Sequence, residues 1–152
     1  MANNRFSSFG ITGLHLASGI RLGLLHYSQG RLDDAKAIFR GLAFLDPQNP
    51  YLHALLGSTL QRQGKEEEAI SEYTEALKYF PEDISSLANR GELYLRSGNV
   101  KEAIADLERA SDLDPEEDHP SANRARLLLA MTQSAMQLVN EKGMGALKEL
   151  RK

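Results

Sequence analysis

The sequence predicts an all-α protein, a right-handed α-solenoid of three helix pairs closed by one further helix. Three observations carry that expectation. Pro47, Pro81 and Pro115 stand 34 residues apart, and Gly23/Gly57/Gly91, Gly30/Gly64/Gly98 and Ala35/Ala69/Ala103 keep the same step. Between these columns the apolar residues recur at three- and four-residue spacing, the period of an amphipathic helix. The 152 residues contain no cysteine, and a chain of that length buries about 68–70% of its unfolded surface without needing a disulfide or a metal.

The elements follow in order. Residues 1–13 read as a flexible N-terminal segment, and residues 14–140 as the helical array. Its repeats cover about 16–49, 50–83 and 84–117, with a capping helix at about 119–140. In the first repeat Ala35, Ile38, Phe39, Leu42 and Leu45 form the apolar face of the second helix. In the second repeat Leu52, Leu55, Leu56 and Leu60 make one face, Gln63-Gly64-Lys65 breaks the pattern, and Ala69, Ile70, Tyr73, Ala76, Leu77 and Phe80 make the next. Ala103, Ile104, Leu107, Ala110 and Leu113 repeat this in the third.

Each column has a physical role. Small residues at Gly23, Gly57 and Gly91, facing Ala35, Ala69 and Ala103, bring the two helices of a repeat close together. Gly30, Gly64 and Gly98 sit where a helix end needs a left-handed backbone. The residue before a proline resists the helical region, so Asp46, Phe80 and Asp114 end the second helices. Asn49-Pro50 reads as a cap followed by proline at the first helical position, and Asn99 with Glu102 as a capping box.

A fourth repeat starts without finishing. Ala125 falls in the glycine column, but Gln137 and Glu149 occupy the alanine and proline columns. Leu127, Leu128, Met131 and Ala135 share one side of the helix, as a cap over the open end of the stack would require. Glu141-Lys142-Gly143-Met144-Gly145 then reads as an interruption, leaving 141–152 as a C-terminal tail.

Composition narrows the function. Lys and Arg number 18 against 21 Asp and Glu, a net charge of −3, which gives no general attraction to nucleic acid or anionic lipid. No apolar stretch reaches the length of a membrane span. The stretch from Phe9 to Leu25 carries His15 and Arg21 and reads as a first amphipathic helix rather than a signal peptide, so a cytoplasmic protein is expected. His15, His26, His53 and His119 lack metal-ligand spacing, and no nucleophile elbow, phosphate loop or dinucleotide fingerprint occurs. The acids at Glu66-Glu67-Glu68 and from Asp114 to Asp118 fall at helix starts and loops, where they suit the helix dipole and solvent. The expectation is a protein without catalytic residues, metal or cofactor.

The columns resemble those of the tetratricopeptide repeat family: Leu22-Gly23, Leu56-Gly57, Gly91 with Tyr94, Phe39, Tyr73, Ala76, Ala110 and the three prolines match its pattern. His53 and Leu87 at the usual large aromatic position, Arg90 for leucine and Leu42 for alanine depart from it. The resemblance implies a concave surface lined by the first helix of each repeat, which binds a protein or an extended peptide. Carried over, the groove positions are Ile20, Leu24 and Tyr27 with Ala17 and Ser28, then Tyr51, Ala54, Ser58, Gln61 and Arg62 with Leu55. The third repeat adds Asn89, Glu92 and Arg96 with Ser85, Ala88 and Leu95, and the capping helix adds Arg126 and Gln133.

Ile20 and Leu24 stand where a clamp for acidic C-termini would need polar groups, so apolar anchors suit the groove better. Leu24 and Leu55 read equally well as packing residues. Arg62 and Arg96 are either hydrogen-bond donors to a peptide or surface residues, solvated or paired with Glu92. The run from Ala37 to Asp46, Leu56-Gly57 with Gln61, Gly64 and Glu68-Ala69-Ile70, and Gly91 to Leu95 before Gly98 resemble the class II chaperones of type III secretion. That likeness implies a chaperone-like adaptor holding a secreted client, with homodimer formation through the N-terminal helix. The alternative is an assembly scaffold that docks through its convex face or N-terminal helix.

Overall fold

The computed structural model describes residue 10 and residues 12–149. Seven helices and no strand occur among them: α1 (Gly13–Ser28), α2 (Leu32–Leu45), α3 (Pro50–Arg62), α4 (Glu66–Tyr79), α5 (Ile84–Arg96), α6 (Val100–Asp112) and α7 (Pro120–Glu149). The pairs α1–α2, α3–α4 and α5–α6 pack within themselves and then onto the next pair, and α7 lies against both α5 and α6.

Each pair closes on a glycine. A Cβ at Gly23 would lie 2.4 Å from Phe39 Cε1, one at Gly57 3.0 Å from the Tyr73 ring, and one at Gly91 2.8 Å from Leu107 Cγ. The second helix of each repeat thus seats one large side chain on the bare backbone of the first. Phe39, Tyr73 and Leu107 are accordingly buried, as are Ala35, Ala69 and Ala103. Burying such a large side chain is worth about 1.5–3 kcal/mol. Two apolar clusters result. One runs from the first pair through the second to α5, with Phe39, Leu56, Leu60, Tyr73 and Leu93; the other runs from Leu77 of α4 through the third pair to α7, with Leu87, Leu107, Ala125 and Leu129.

The turns follow their chemistry. Gly30, Gly64 and Gly98 take φ of 75°, 73° and 80°, a region that L side chains rarely enter. Asn49 caps α3, its side chain accepting from the Tyr51 amide at 3.1 Å, with Pro50 as the first helical residue.

Several sequence expectations are corrected. Asn99 does not cap α6 with its side chain; its amide nitrogen donates instead to Ser97 Oγ at 3.0 Å. Phe80 is half exposed because α4 ends at Tyr79. On α7 the buried residues are Ala122, Ala125 and Leu129, whereas Leu127 and Met131 are exposed. The seam against α5 and α6 is therefore made of Ala122, Ala125 and Leu129, and of the expected stripe Leu128 packs against the same cluster. Gly143 does not interrupt α7, which runs on to Glu149. A glycine costs a helix only about 1 kcal/mol and ends it only where the backbone turns left-handed. Residues 1–9 and 11 of the N-terminal segment, and 150–152 of the tail, lie outside the described residues.

Candidate functional site

The first helices of the repeats converge on one cavity. Tyr27 of α1, Ser58, Gln61 and Arg62 of α3, Asn89 of α5 and Arg124 of α7 line a hollow of about 230 Å3. The helical period explains the α3 contribution: Tyr51, Ala54, Ser58 and Arg62 follow one another at three- and four-residue steps along a single face. Five of the residues that the sequence assigned to the groove, Tyr27, Ser58, Gln61, Arg62 and Asn89, thus share one hollow.

A hydrogen-bond chain fixes its floor. Tyr27 Oη lies 2.9 Å from Ser58 Oγ. The buried Tyr73 hydroxyl donates to Gln61 Oε1 at 2.8 Å and accepts from Asn89 Nδ2 at 3.1 Å. Burial pushes the Tyr73 hydroxyl well above the usual phenol range, so it stays a neutral donor. Asn89 Oδ1 accepts in turn from Arg124. The chain ties a core residue to the polar tips at the surface, so these tips are held in place before any ligand arrives.

The arginines divide. Arg62 Nη1 donates to the Tyr27 carbonyl at 2.9 Å, and its guanidinium sits 4.5 Å from the centre of the Tyr27 ring. Arg96 pairs with Glu66 at 2.6 Å rather than with Glu92. Glu92 is met by Arg124 at 3.5 Å. Arg126 lies away from the groove: it donates to the carbonyls of Ser111 and Asp114 and lies 3.3 Å from the Asp114 carboxylate, closing the end of α6. Burial opposes the Asp114 charge, but the His119 amide and Arg126 hold its carboxyl below the usual range. Gln133 is exposed on α7.

The apolar candidates sit elsewhere. Tyr51 and Ala54 line a second niche of about 220 Å3 with Pro50, Phe80 and Asp83. Leu24 and Leu55 are partly buried against the first apolar cluster, and Ile20 is partly buried on α1. Two contributors escaped the sequence analysis. Arg124 belongs to the unfinished fourth repeat, 34 residues beyond Arg90, and only the approach of α7 to α5 brings it in. Phe80 falls in the column that holds Asp46 and Asp114, and that departure was the available signal.

A family model described as tetratricopeptide repeat matches residues 54–118 and 89–133, together just over half of the chain. The chain belongs to the tetratricopeptide repeat family. No curated protein matches it. Among solved structures it is similar to the type III secretion translocator chaperone SycD of Yersinia enterocolitica, with a TM-score of 0.76 and 21% identity over 86% of this chain and 99% of that one. A type III secretion complex from Aeromonas hydrophila gives a TM-score of 0.83 at 21% identity over 90% and 92%. PcrH of Pseudomonas aeruginosa, in complex with the chaperone binding region of PopD, gives 0.78 at 24% identity over 84% and 97%. At these identities the likeness is one of fold. It covers nearly the whole of each chain, so this tetratricopeptide solenoid has the same extent as theirs.

No group of three or more His, Cys, Asp or Glu side chains among the described residues could hold a metal ion. No helix among them is long and apolar enough to cross a membrane.

Proposed function

We propose that this tetratricopeptide protein is a non-enzymatic, chaperone-like adaptor of the cytoplasm that holds an extended segment of a client protein along its concave face. The observation that carries the reading is the hollow shared by Tyr27, Ser58, Gln61, Arg62, Asn89 and Arg124, with the apolar niche of Tyr51, Ala54 and Phe80 on the same side of α3. Fixed polar tips beside an apolar niche are what an extended peptide needs, since its carbonyls take the donors and its side chains take the niche. Of the chains with this fold, SycD is a type III secretion translocator chaperone by name, and PcrH holds the chaperone binding region of PopD. That agreement supports a secretion client.

Affinity capture from the native extract, with wild type and the Arg62→Glu and Tyr51→Ala variants side by side, tests the reading. One or two partners in near-stoichiometric amount, lost from both variants while helical circular dichroism is unchanged, are expected. Partners retained by both variants would overturn the groove assignment. A scaffold that docks through its first helix is the second reading, favoured by the exposed Leu14, Leu22 and Leu25 of α1. It predicts partner loss from a Leu22→Glu/Leu25→Glu variant whose groove is intact.

A further inference from the structure

From the two hollows along α3 we infer that the preferred client segment carries one large apolar side chain and one carboxylate about four residues apart. The inference rests on the groove reading and specifies its ligand. Ala54 and Arg62 are eight residues apart in one helix, which at 1.5 Å per residue is about 12 Å. An extended chain advances about 3.3 Å per residue and covers that span in about four residues. The spacing of the two ligand groups is therefore set by α3 itself.

The apolar end is built by a departure from the repeat. Asp46 Oδ2 accepts from Asn49 Nδ2 at 3.0 Å, and Asp114 Oδ2 accepts from the His119 amide at 3.1 Å, so in two of the three repeats the residue of this column ties down its loop. In the second repeat this place holds Phe80, while Asp83, in the column of Asn49, caps α5 by accepting from the Ser86 amide at 3.1 Å. The Phe80 ring has no such hydrogen bond to make. It stands 49% exposed beside Tyr51, itself 51% exposed, over a niche floored by Pro50 and Ala54. Two half-exposed rings around a hollow of about 220 Å3 leave apolar surface that a leucine- or methionine-sized side chain would cover. The Asp83 carboxylate on the rim of this niche repels an acid there.

The cationic end is Arg62. Of the three arginines carried by α3, α5 and α7 near the groove, Arg96 and Arg124 already have carboxylate partners, Glu66 and Glu92. Among the described residues Arg62 meets only neutral groups, the carbonyl and ring of Tyr27, which hold its guanidinium in place over the hollow. An anchored guanidinium without a carboxylate is complementary to an incoming Asp or Glu. The niche excludes an acid and the hollow attracts one, so the ligand's two groups are assigned to opposite ends.

A random twelve-residue displayed peptide library, selected on the full chain and counter-selected on an Ala54→Arg variant, tests this. Enriched peptides are expected to share an apolar residue and an Asp or Glu three to five positions apart. Synthesised and labelled with fluorescein, such a peptide should lose affinity roughly tenfold on Arg62→Glu and less on Arg62→Gln. A peptide whose acid is replaced by lysine should regain part of that loss on Arg62→Glu alone. Peptides that need Ala54 but show no acid at that spacing, or are indifferent to Arg62, would overturn the inference and leave the groove standing. Failure to enrich any peptide sensitive to Ala54→Arg would overturn both. Helical circular dichroism and melting of each variant separate loss of binding from loss of fold.

Discussion

The second and third helix pairs are built on the same columns and secure them differently. Glu72 of α4 and Asp106 of α6 stand 34 residues apart, in the same place of their repeats. Each meets a base from the preceding helix. His53 Nδ1 lies 2.8 Å from Glu72 Oε2, whereas Arg90 donates to both Asp106 oxygens, at 2.7 and 2.8 Å. The two bases come from different columns, for Leu87 occupies the place of His53 and Leu56 that of Arg90. The first pair has neither base, carrying Gly19, Leu22 and Ile38 at these positions. The repeat therefore dictates glycine, alanine and proline but leaves the cross-helix ion pair open. One solution rests on a permanently charged guanidinium and the other on an imidazole whose pKa is raised by its carboxylate partner.

The largest expected effect lies in the third pair. Arg90 and Asp106 side chains are only 17% and 10% exposed, and Arg90 also donates to Thr74 Oγ1 at 3.0 Å. Burial opposes the Arg90 charge, but its hydrogen bonds to Asp106 and the attraction between them outweigh it, so its pKa is raised. Removing one partner strands the other charge, so Asp106→Ala should cost about 3 kcal/mol in urea unfolding. The matching Glu72→Ala should cost about 1 kcal/mol, because a histidine left alone discards its proton instead of staying charged. Equal losses at the two positions would dissolve the contrast.

The glycine seats give the next contrast. A Cβ at Gly91 meets Leu107 Cγ at 2.8 Å and the Ala103 carbonyl at 3.3 Å, whereas one at Gly57 meets the edge of the Tyr73 ring at 3.0 Å. Gly91→Ala pushes on a side chain and on backbone, and Gly57→Ala on a ring edge that needs to shift by only tenths of an ångström. The expected losses are about 2 and about 1 kcal/mol, after a helix-propensity gain of about 1 kcal/mol in both. Gly57→Ala should in addition weaken peptide binding, since Tyr73 carries the hydrogen bonds to Gln61 and Asn89.

A smaller contrast lies between two helix starts that the sequence presents as equals. Asn49 caps α3 and Asn99 does not cap α6. Asn49→Ala should therefore cost about 1 kcal/mol and Asn99→Ala a few tenths, read as the shift in melting temperature. Both are asparagines at the start of an apolar run, but Asn49 is extended, with ψ 106°, and precedes Pro50, whereas Asn99 has ψ 65°.

That pair shows how far the sequence could be read. Helix number, pairing and turns are legible because Gly30, Gly64, Gly98 and the three prolines act through the backbone of their own neighbourhood. The family resemblance named Tyr27, Ser58, Gln61, Arg62 and Asn89, and these share one hollow, Ser58 and Arg62 lying on one face of α3 by its helical period. What escapes depends on the meeting of distant elements. Nothing local reveals that Arg124 of α7 reaches Asn89 of α5, or that Arg96 chooses Glu66 over Glu92. The run through Gly143 escapes for the opposite reason. Glycine marks a helix end only where its neighbours need a left-handed residue, and near Glu141 they do not.

The smallest effect is the most specific to the comparison. The Glu72 hydrogen bond raises the His53 pKa above 6.5, against the opposing pull of burial and with help from the Pro47 carbonyl and the charge of Glu75. Both ring nitrogens face acceptors, Glu72 and the Pro47 carbonyl at 2.9 Å, with the Tyr79 ring stacked alongside. Only the doubly protonated ring satisfies both. A folded pKa above the unfolded one means that this stability is fully present below about pH 6.5 and is lost as the pH rises through the raised folded value. The opposing pull of burial holds the net effect to roughly a few tenths of a kcal/mol. Wild type should thus lose more stability between pH 5.5 and 8.5 than His53→Leu, which places in the second repeat the residue that Leu87 supplies in the third. The third pair offers no such titrating base, because Arg90, its pKa raised, keeps its charge throughout that range. Melting curves that stay parallel across the pH range for wild type and His53→Leu would show that the histidine pair is no more titratable in practice than the arginine pair, and the two repeats would then differ in geometry alone.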